Sequence, residues 1–374
     1  MLAVHLENGR VEVREVRKPR RPPGFALIRL IYGGICNTDL ELQRGYYGFT
    51  GTPGHEFVGE VVEADRTDLI GKRVVGEINL ACEQCEWCSR SLGRHCPHRT
   101  VLGIVKHPGA FREFLTLPER NLRVVPKNVT DRQAVFVEPL AAACEILDQV
   151  RIPENAKVAV LGDGKLGLLI AQVLHAHGAT VEHFGRHASK LRISQAAGIA
   201  THIAKSLPAQ AYDWVVDATG SAEGLEHAVR MMRPRGTLIL KSTIHGLVPA
   251  DTAPVIVNEL TLVGSRCGRF EPAMKLLRTG KVRVDEMISE VLPLSAAPQA
   301  FARAAEKGVL KVLLQSKQIP LIGLSDGDCA PSPSHTTGRA VFRIRRLNPA
   351  VYRAARSDGI KNWWRRNTAF GKAL

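Results

Sequence analysis

The apolar run Val158-Ala159-Val160-Leu161 leads directly into Gly162-Asp163-Gly164-Lys165-Leu166-Gly167, and no other stretch limits the fold of this chain so narrowly. Four consecutive apolar residues bounded by glycine read as a short buried strand, and the apolar stretch 166–176 that follows has helical length. Glycines at the junction allow a tight turn and close backbone approach, so that the helix N-terminus faces a pyrophosphate. A lone glycine fingerprint is weak, and the surroundings give this one its weight. Strands are expected at 180–184, 214–217, 237–240 and 261–264, with helices at 189–197 and 223–232 between them and one at 138–150 before them; Asp131 can cap a helix. Residues 131–265 therefore read as an α/β doubly wound parallel sheet binding a dinucleotide, with Gly162, Gly164, Lys165, Leu166 and Gly167 at the cofactor.

An acidic side chain should close the second strand of such a sheet if the ribose 2′-hydroxyl of NAD is to be held. Here the strand ends at Gly185 and is followed by Arg186, His187 and Lys190. Cations in place of a carboxylate suit a 2′-phosphate, so NADP is the expected cofactor. Glu182, inside the strand, keeps NAD as the alternative.

Residues 1–130 have another texture. Short β-like runs at 11–16, 26–31, 57–62, 73–76 and 111–117 are broken by Gly33-Gly34, Gly51-Thr52-Pro53-Gly54 and Pro108-Gly109, the pattern of a partly open β-barrel. Two motifs fall on its loops or strand ends: Cys36-Asn37-Thr38-Asp39 and Gly54-His55-Glu56. A thiolate with an imidazole suits zinc, and Asp39 and Glu56 could be ligands or could orient the histidine. One Cys and one His nineteen positions apart also occur by chance, with the ordinary buried thiol as the competing reading. Cys82, Cys85, Cys88 and Cys96 are more specific, being spaced three, three and eight apart in a polar segment. Four thiolates so close can close a tetrahedral site with no open position, the mark of a structural zinc in a lobe at about 80–100. Residues 266–316, with helices at 272–279 and 295–306 and a strand at 311–314, read as a return to the first domain.

Composition narrows the setting. The chain of 374 residues can fill two domains, and no apolar stretch approaches eighteen residues, so neither export nor a membrane span is expected and a cytoplasmic location is. Eight cysteines, four of them clustered, fit metal ligation better than disulfides in that compartment. The net charge of +15 is uneven: the extension 317–374 carries eleven Lys and Arg against three Asp, leaving the body mildly basic. That balance favours anionic ligands such as phosphates without demanding a nucleic-acid partner. The extension itself, Gly/Pro/Ser-rich at 325–339 and basic around Trp363-Trp364, reads as a poorly ordered appendage.

Together, Gly34-Ile35-Cys36-Asn37-Thr38-Asp39, Gly54-His55-Glu56-Phe57-Val58-Gly59, the four-cysteine lobe, Glu138-Pro139-Leu140, the glycine loop and Asp217-Ala218-Thr219-Gly220 resemble the zinc-dependent medium-chain dehydrogenase/reductase family, the alcohol and polyol dehydrogenases. The resemblance covers residues 1 to about 315 and implies a GroES-like barrel beside a Rossmann domain. It implies a catalytic zinc held by Cys36, His55 and Glu138 or Glu56. Glu138 stands where the alcohol dehydrogenases have a second cysteine, as in sorbitol- and threonine-dehydrogenase-like members. Asp39 would orient His55, and Thr38 would match the hydroxyl that relays the substrate proton. Relatives often finish that relay with a His five positions after the cysteine, where this chain has Glu41. The implied reaction moves hydride between an alcohol or polyol, or the matching carbonyl, and NAD(P), in a homo-oligomer (dimer or tetramer). Two alternatives are an NADPH-dependent carbonyl reductase and a non-enzymatic nucleotide-binding protein whose basic tail associates with nucleic acid. Tyr46, Tyr47 and Phe49, between the ligand motifs, are candidate pocket residues.

Overall fold

The computed structural model describes residues 1–317 except 244–247, 249 and the side chain of Tyr47; the basic extension beyond Lys317 lies outside the described residues. Six parallel strands form one sheet in the order Ala200–Ile203, Thr180–Gly185, Lys157–Leu161, Tyr212–Asp217, Met232–Leu240, Thr261–Gly264. After the exposed Lys157, its central strand is apolar because both faces are covered. Val158 and Val160 pack with Leu168, Ile170 and Val173 of the following helix, whereas Ala159 and Leu161 pack with Tyr212, Val215 and Met231. Strand order reverses beside Lys157–Leu161, and the crevice at such a reversal is where open α/β sheets take their ligands. Ala200–Ile203 was not foreseen, because an edge strand with no buried residue carries no apolar pattern.

A seven-stranded sheet builds the other half. Across it run Leu122–Val124, Arg73–Gly76, Glu56–Glu63, Phe25–Gly34, Lys311–Gln315 and Ile288–Pro293, with Phe114–Pro118 also pairing to Phe25–Gly34. Leu313 pairs with Gly34 on one side and Glu56 with Gly34 on the other. The last strand of the body thus enters the middle of the N-terminal sheet. Phe57, Phe111, Leu115, Leu117 and Phe301 lie in its core. The strands Asn79–Leu80, Thr100–Leu102 and Lys106–His107 form a small sheet beside the four cysteines.

Two local expectations are corrected. The helix Asp131–Ala134 is capped by Thr130, whose hydroxyl accepts from Gln133 N, while Asp131 pairs with Arg73 at 2.7 Å. Cys36 lies not in a plain loop but at the N-cap of the helix Asn37–Gln43. Among the described residues no helix is long and apolar enough to cross a membrane.

Candidate active site and metal centres

Asp39 joins the two motifs of the barrel. The strand Phe25–Gly34 runs into Cys36, whose extended backbone opens the helix Asn37–Gln43. Asp39, fully buried in the first turn, folds back so that its Oδ2 accepts from Cys36 N at 2.8 Å, satisfying one of the helix's orphan donors. Its Oδ1 accepts from Gly54 N at 3.2 Å and stands 3.4 Å from Nδ1 of buried His55. Asp39 is therefore both cap and histidine partner, and with Nδ1 turned to the carboxylate, Nε2 is the nitrogen available to a metal. Burial works against the charged imidazole, but Asp39, with Cys36, outweighs it and raises the His55 pKa well above its usual value.

Glu56 begins the next strand and is fully buried. Lys311 Nζ donates to its Oε2, and Lys311 is equally buried, with Phe136's ring 5.7 Å from the ammonium. Burial disfavours the lysine's charge, yet Glu56 and Cys36 more than offset it and its pKa is raised. Glu56 Oε1 has no hydrogen-bond partner, and His55 Nδ1 has only the Asp39 carboxylate at 3.4 Å, an approach that falls short of a hydrogen bond. One ligand atom each from Cys36, His55 and Glu56 lies within 4.8 Å of the others. A soft sulfur, an imidazole nitrogen and a carboxylate oxygen converging in a buried pocket, with Glu56 Oε1 left unpaired, fit a zinc ion.

The remaining candidates surround this cluster. Glu138, in the first turn of the helix Val137–Gln149, is half-buried and stands outside the three-residue group. Burial, with Glu56 adding to it and His55 opposing, pushes its carboxyl up to about 7. Thr38 is half-buried with Oγ1 3.9 Å from Cys36 Sγ, while Glu41 is tied to Arg44 at 2.6 Å. Lys165 opens the helix of the glycine loop. Burial lowers its pKa, and the charges acting on it, Lys311, Cys36, Glu56 and Asp39, all belong to the metal pocket.

The four-cysteine lobe carries its own geometric test. A tetrahedron with Zn–S of about 2.3 Å has edges of about 3.8 Å. The sulfurs lie 4.0 Å (Cys82–Cys88), 3.5 Å (Cys85–Cys88), 3.6 Å (Cys85–Cys96) and 3.5 Å (Cys82–Cys96) apart, and none is in a disulfide. These are zinc-site spacings, and four protein sulfurs leave no place for substrate. Arg94 of this lobe donates to Glu145 at 3.0 Å and to Cys267 O at 2.9 Å, tying the lobe to the helix that carries Glu138.

At the dinucleotide loop, Gly162 has φ 109° and a Cβ there would lie 2.4 Å from Ala218 O, while one at Gly167 would lie 1.8 Å from Gly162 O. A Cβ at Gly164 would meet nothing within 4 Å, so the open side of the turn is free for a ligand. His183 supports the loop from below: Nε2 donates to Gly162 O at 2.9 Å, and Nδ1 accepts from Ser194 Oγ at 2.8 Å. A carbonyl can only accept, so Nε2 carries the proton. Burial lowers the pKa of His183, keeping the ring neutral as this arrangement requires.

Glu182 points to the opposite face. Its carboxylate takes Lys157 at 2.8 Å, the Tyr212 hydroxyl at 2.9 Å and His202 at 3.0 Å, so it is engaged away from the loop. Beyond Gly185, Asp163 Oδ2 accepts from His187 N at 2.6 Å and faces its ring at 3.0 Å. Arg186 and His187 are exposed and Lys190 is half-buried. Lys311, His183 and Asp163 were missed in the sequence. The available signals were a lysine heading an apolar strand, a histidine inside another, and an aspartate within the glycine loop.

Residues 22–127 match the alcohol dehydrogenase GroES-like domain, and residues 166–279 match the zinc-binding dehydrogenase domain. The chain is 32% identical over 319 residues to the D-altritol 5-dehydrogenase of Agrobacterium fabrum, covering 80% of this chain and 94% of that one. It is 27% identical to the D-arabitol-phosphate dehydrogenase of Enterococcus avium, covering 80% and 92%. Among solved structures, a zinc-binding dehydrogenase of Sinorhizobium meliloti 1021 bound to NADP superposes with a TM-score of 0.78 at 30% identity, covering 84% of this chain and 98% of that one. The alcohol dehydrogenase of Thermus sp. ATN1 gives 0.78 at 30% identity, covering 85% and 100%.

Proposed function

Since the chain belongs to the zinc-dependent medium-chain alcohol and polyol dehydrogenases, we propose that it interconverts a polyol and the corresponding ketose or aldose with NADP, using a catalytic zinc at Cys36, His55 and a glutamate. The observation that carries this reading is the convergence of Cys36, His55 and Glu56, one ligand atom each within 4.8 Å of the others. A zinc ion there supplies Lewis acidity toward a substrate oxygen, and the nicotinamide cofactor takes or returns the hydride. The side chains do the rest. Asp39 fixes the histidine, Thr38 Oγ1 receives the alcohol proton and passes it toward solvent, and Lys165 with the helix N-terminus holds the cofactor pyrophosphate. Glu41, paired with Arg44, is not the last proton acceptor in this scheme; water is.

The finer preference for NADP rests on Glu182 being engaged elsewhere while Arg186, His187 and Lys190 follow Gly185. Self-association fits the edge of the parallel sheet. Among the described residues Thr261–Gly264 is an edge strand, Leu262 is exposed, and nearby Ile256 and Val257 are 72% and 79% exposed. A dimer through this edge is expected, and light scattering in solution tests it. The body is one catalytic barrel (1–130 and 266–316) enclosing one nucleotide domain (131–265) in this reading. A screen of polyols, their phosphates and simple alcohols with NAD and NADP, on protein of measured zinc content, tests the function. Turnover of polyols with NADP is expected; no turnover with any of them would overturn it.

A further inference from the structure

The buried pair Lys311–Glu56 belongs to no step described so far. Glu56 and Lys311 come from strands that flank Phe25–Gly34 on opposite sides, in register with or near Gly34. A side chain at Gly34 would block their meeting, since a Cβ there would lie 2.8 Å from Glu56 Oε2 and 3.4 Å from Lys311 Cδ. The glycine is thus the gap through which the ammonium reaches the carboxylate. One oxygen of Glu56, Oε2, is taken by Lys311, the other, Oε1, is buried with no partner, and the carboxylate brings an oxygen within 4.8 Å of ligand atoms of Cys36 and His55. A buried ion pair with a half-unsatisfied carboxylate is a poor way to stabilise a fold, because desolvation offsets the attraction. It is a good way to aim one oxygen.

Resting on the zinc site proposed above, we propose that Lys311 is a positioning residue of that site. By holding Oε2 it withholds that oxygen from the metal, presents Oε1 alone, and leaves a place in the coordination sphere for Glu138 or substrate. It acts only through Glu56. That makes the two residues one unit toward zinc, which a double-mutant cycle in metal affinity can test without reference to turnover.

The test uses the full chain and zinc ion alone. Zinc affinity beyond the equivalent held by the four cysteines is measured by chelator competition for the parent, Lys311→Met, Lys311→Arg, Glu56→Gln and the Lys311→Met/Glu56→Gln double variant, each checked for folding by near-UV circular dichroism. Lys311→Met is expected to weaken this zinc about 10–100-fold, the usual cost of losing the partner that orients a ligand, with Lys311→Arg recovering most of the loss. The double variant should bind zinc as Glu56→Gln does, with no further loss. Losses that multiply in the double variant, or a folded Lys311→Met with parental affinity, would overturn the proposal. If Lys311→Met does not fold because Glu56 is left as an unpaired buried charge, the double variant against Glu56→Gln decides alone. A double variant that fails to fold where Glu56→Gln folds makes Lys311 a determinant of the fold and also overturns it. A parent that binds no zinc beyond the four-cysteine equivalent would instead refute the catalytic zinc itself.

Discussion

Replacing His183 by Leu should damage both the fold and the cofactor site, because this ring is the only support beneath the Gly162 carbonyl among the described hydrogen bonds. The ring is fully buried, so its loss strands the buried Ser194 hydroxyl and leaves the half-buried Gly162 O without its partner. The buried orphan costs about 1–3 kcal/mol and the half-buried carbonyl less, so unfolding free energy should fall by about 2–3 kcal/mol. Ser194→Ala removes only the outer hydrogen bond and should cost about 1 kcal/mol. At the cofactor, Gly162 at φ 109° loses its anchor but keeps its contact with Ala218. Losing the worth of one hydrogen bond, about 0.5–1.4 kcal/mol, raises the NADP dissociation constant about two- to tenfold. The pH dependence has a definite sign. The native ring is neutral and its pKa lies below the ordinary 6.5, so the unfolded chain binds the extra proton first as pH falls. The stability His183 contributes is therefore present above about pH 6.5 and is lost as pH drops below it toward the native pKa. Urea unfolding at pH 7.5 and 5.5, with cofactor binding followed by fluorescence, measures all of this. A His183→Leu protein with parental stability at both pH values and unchanged cofactor affinity would refute the account of the loop.

Other expectations concern the reaction and the metals. Thr38→Val should lower kcat by about 100-fold or more while cofactor affinity stays within experimental error, since only the proton path is removed; unchanged turnover would take Thr38 out of the mechanism. Elemental analysis of the purified chain should find two zinc ions. Cys85→Ser should remove one of them and unfold the lobe, whereas His55→Ala should remove the other and leave the melting curve of the lobe intact. Arg186→Ala should weaken NADP by about 1–2 kcal/mol, the range of a hydrogen bond to a charged group reduced for exposure, and leave NAD nearly unchanged. Equal losses for the two cofactors would mean that Arg186 does not meet the 2′-phosphate.

Much of this protein can be read from local chemistry. The glycine loop, the alternation of strands and helices and the four closely spaced cysteines each state their structure within a few tens of residues, because turn geometry, apolar periodicity and tetrahedral sulfur ligation are local constraints. The structure carries them with small shifts, such as Thr180–Gly185 for 180–184 and Val137–Gln149 for 138–150. The edge strand Ala200–Ile203 left no trace in the pattern because solvent accepts any residue there.

Cys36 and His55 suggest a zinc site, but three features of the candidate zinc and cofactor sites depend on pairings between separate elements. Asp39 had to fold back to meet Gly54 and His55, Glu182 had to be drawn to the face of Tyr212 and His202, and Lys311 had to cross Gly34 to reach Glu56. Local sequence carries no record of such pairings. The sequence by itself determined which chemical groups this protein owns and on which elements they ride. Only the tertiary structure decided which oxygen of which carboxylate is free, because that depends on what the other strands bring to within a hydrogen bond of it.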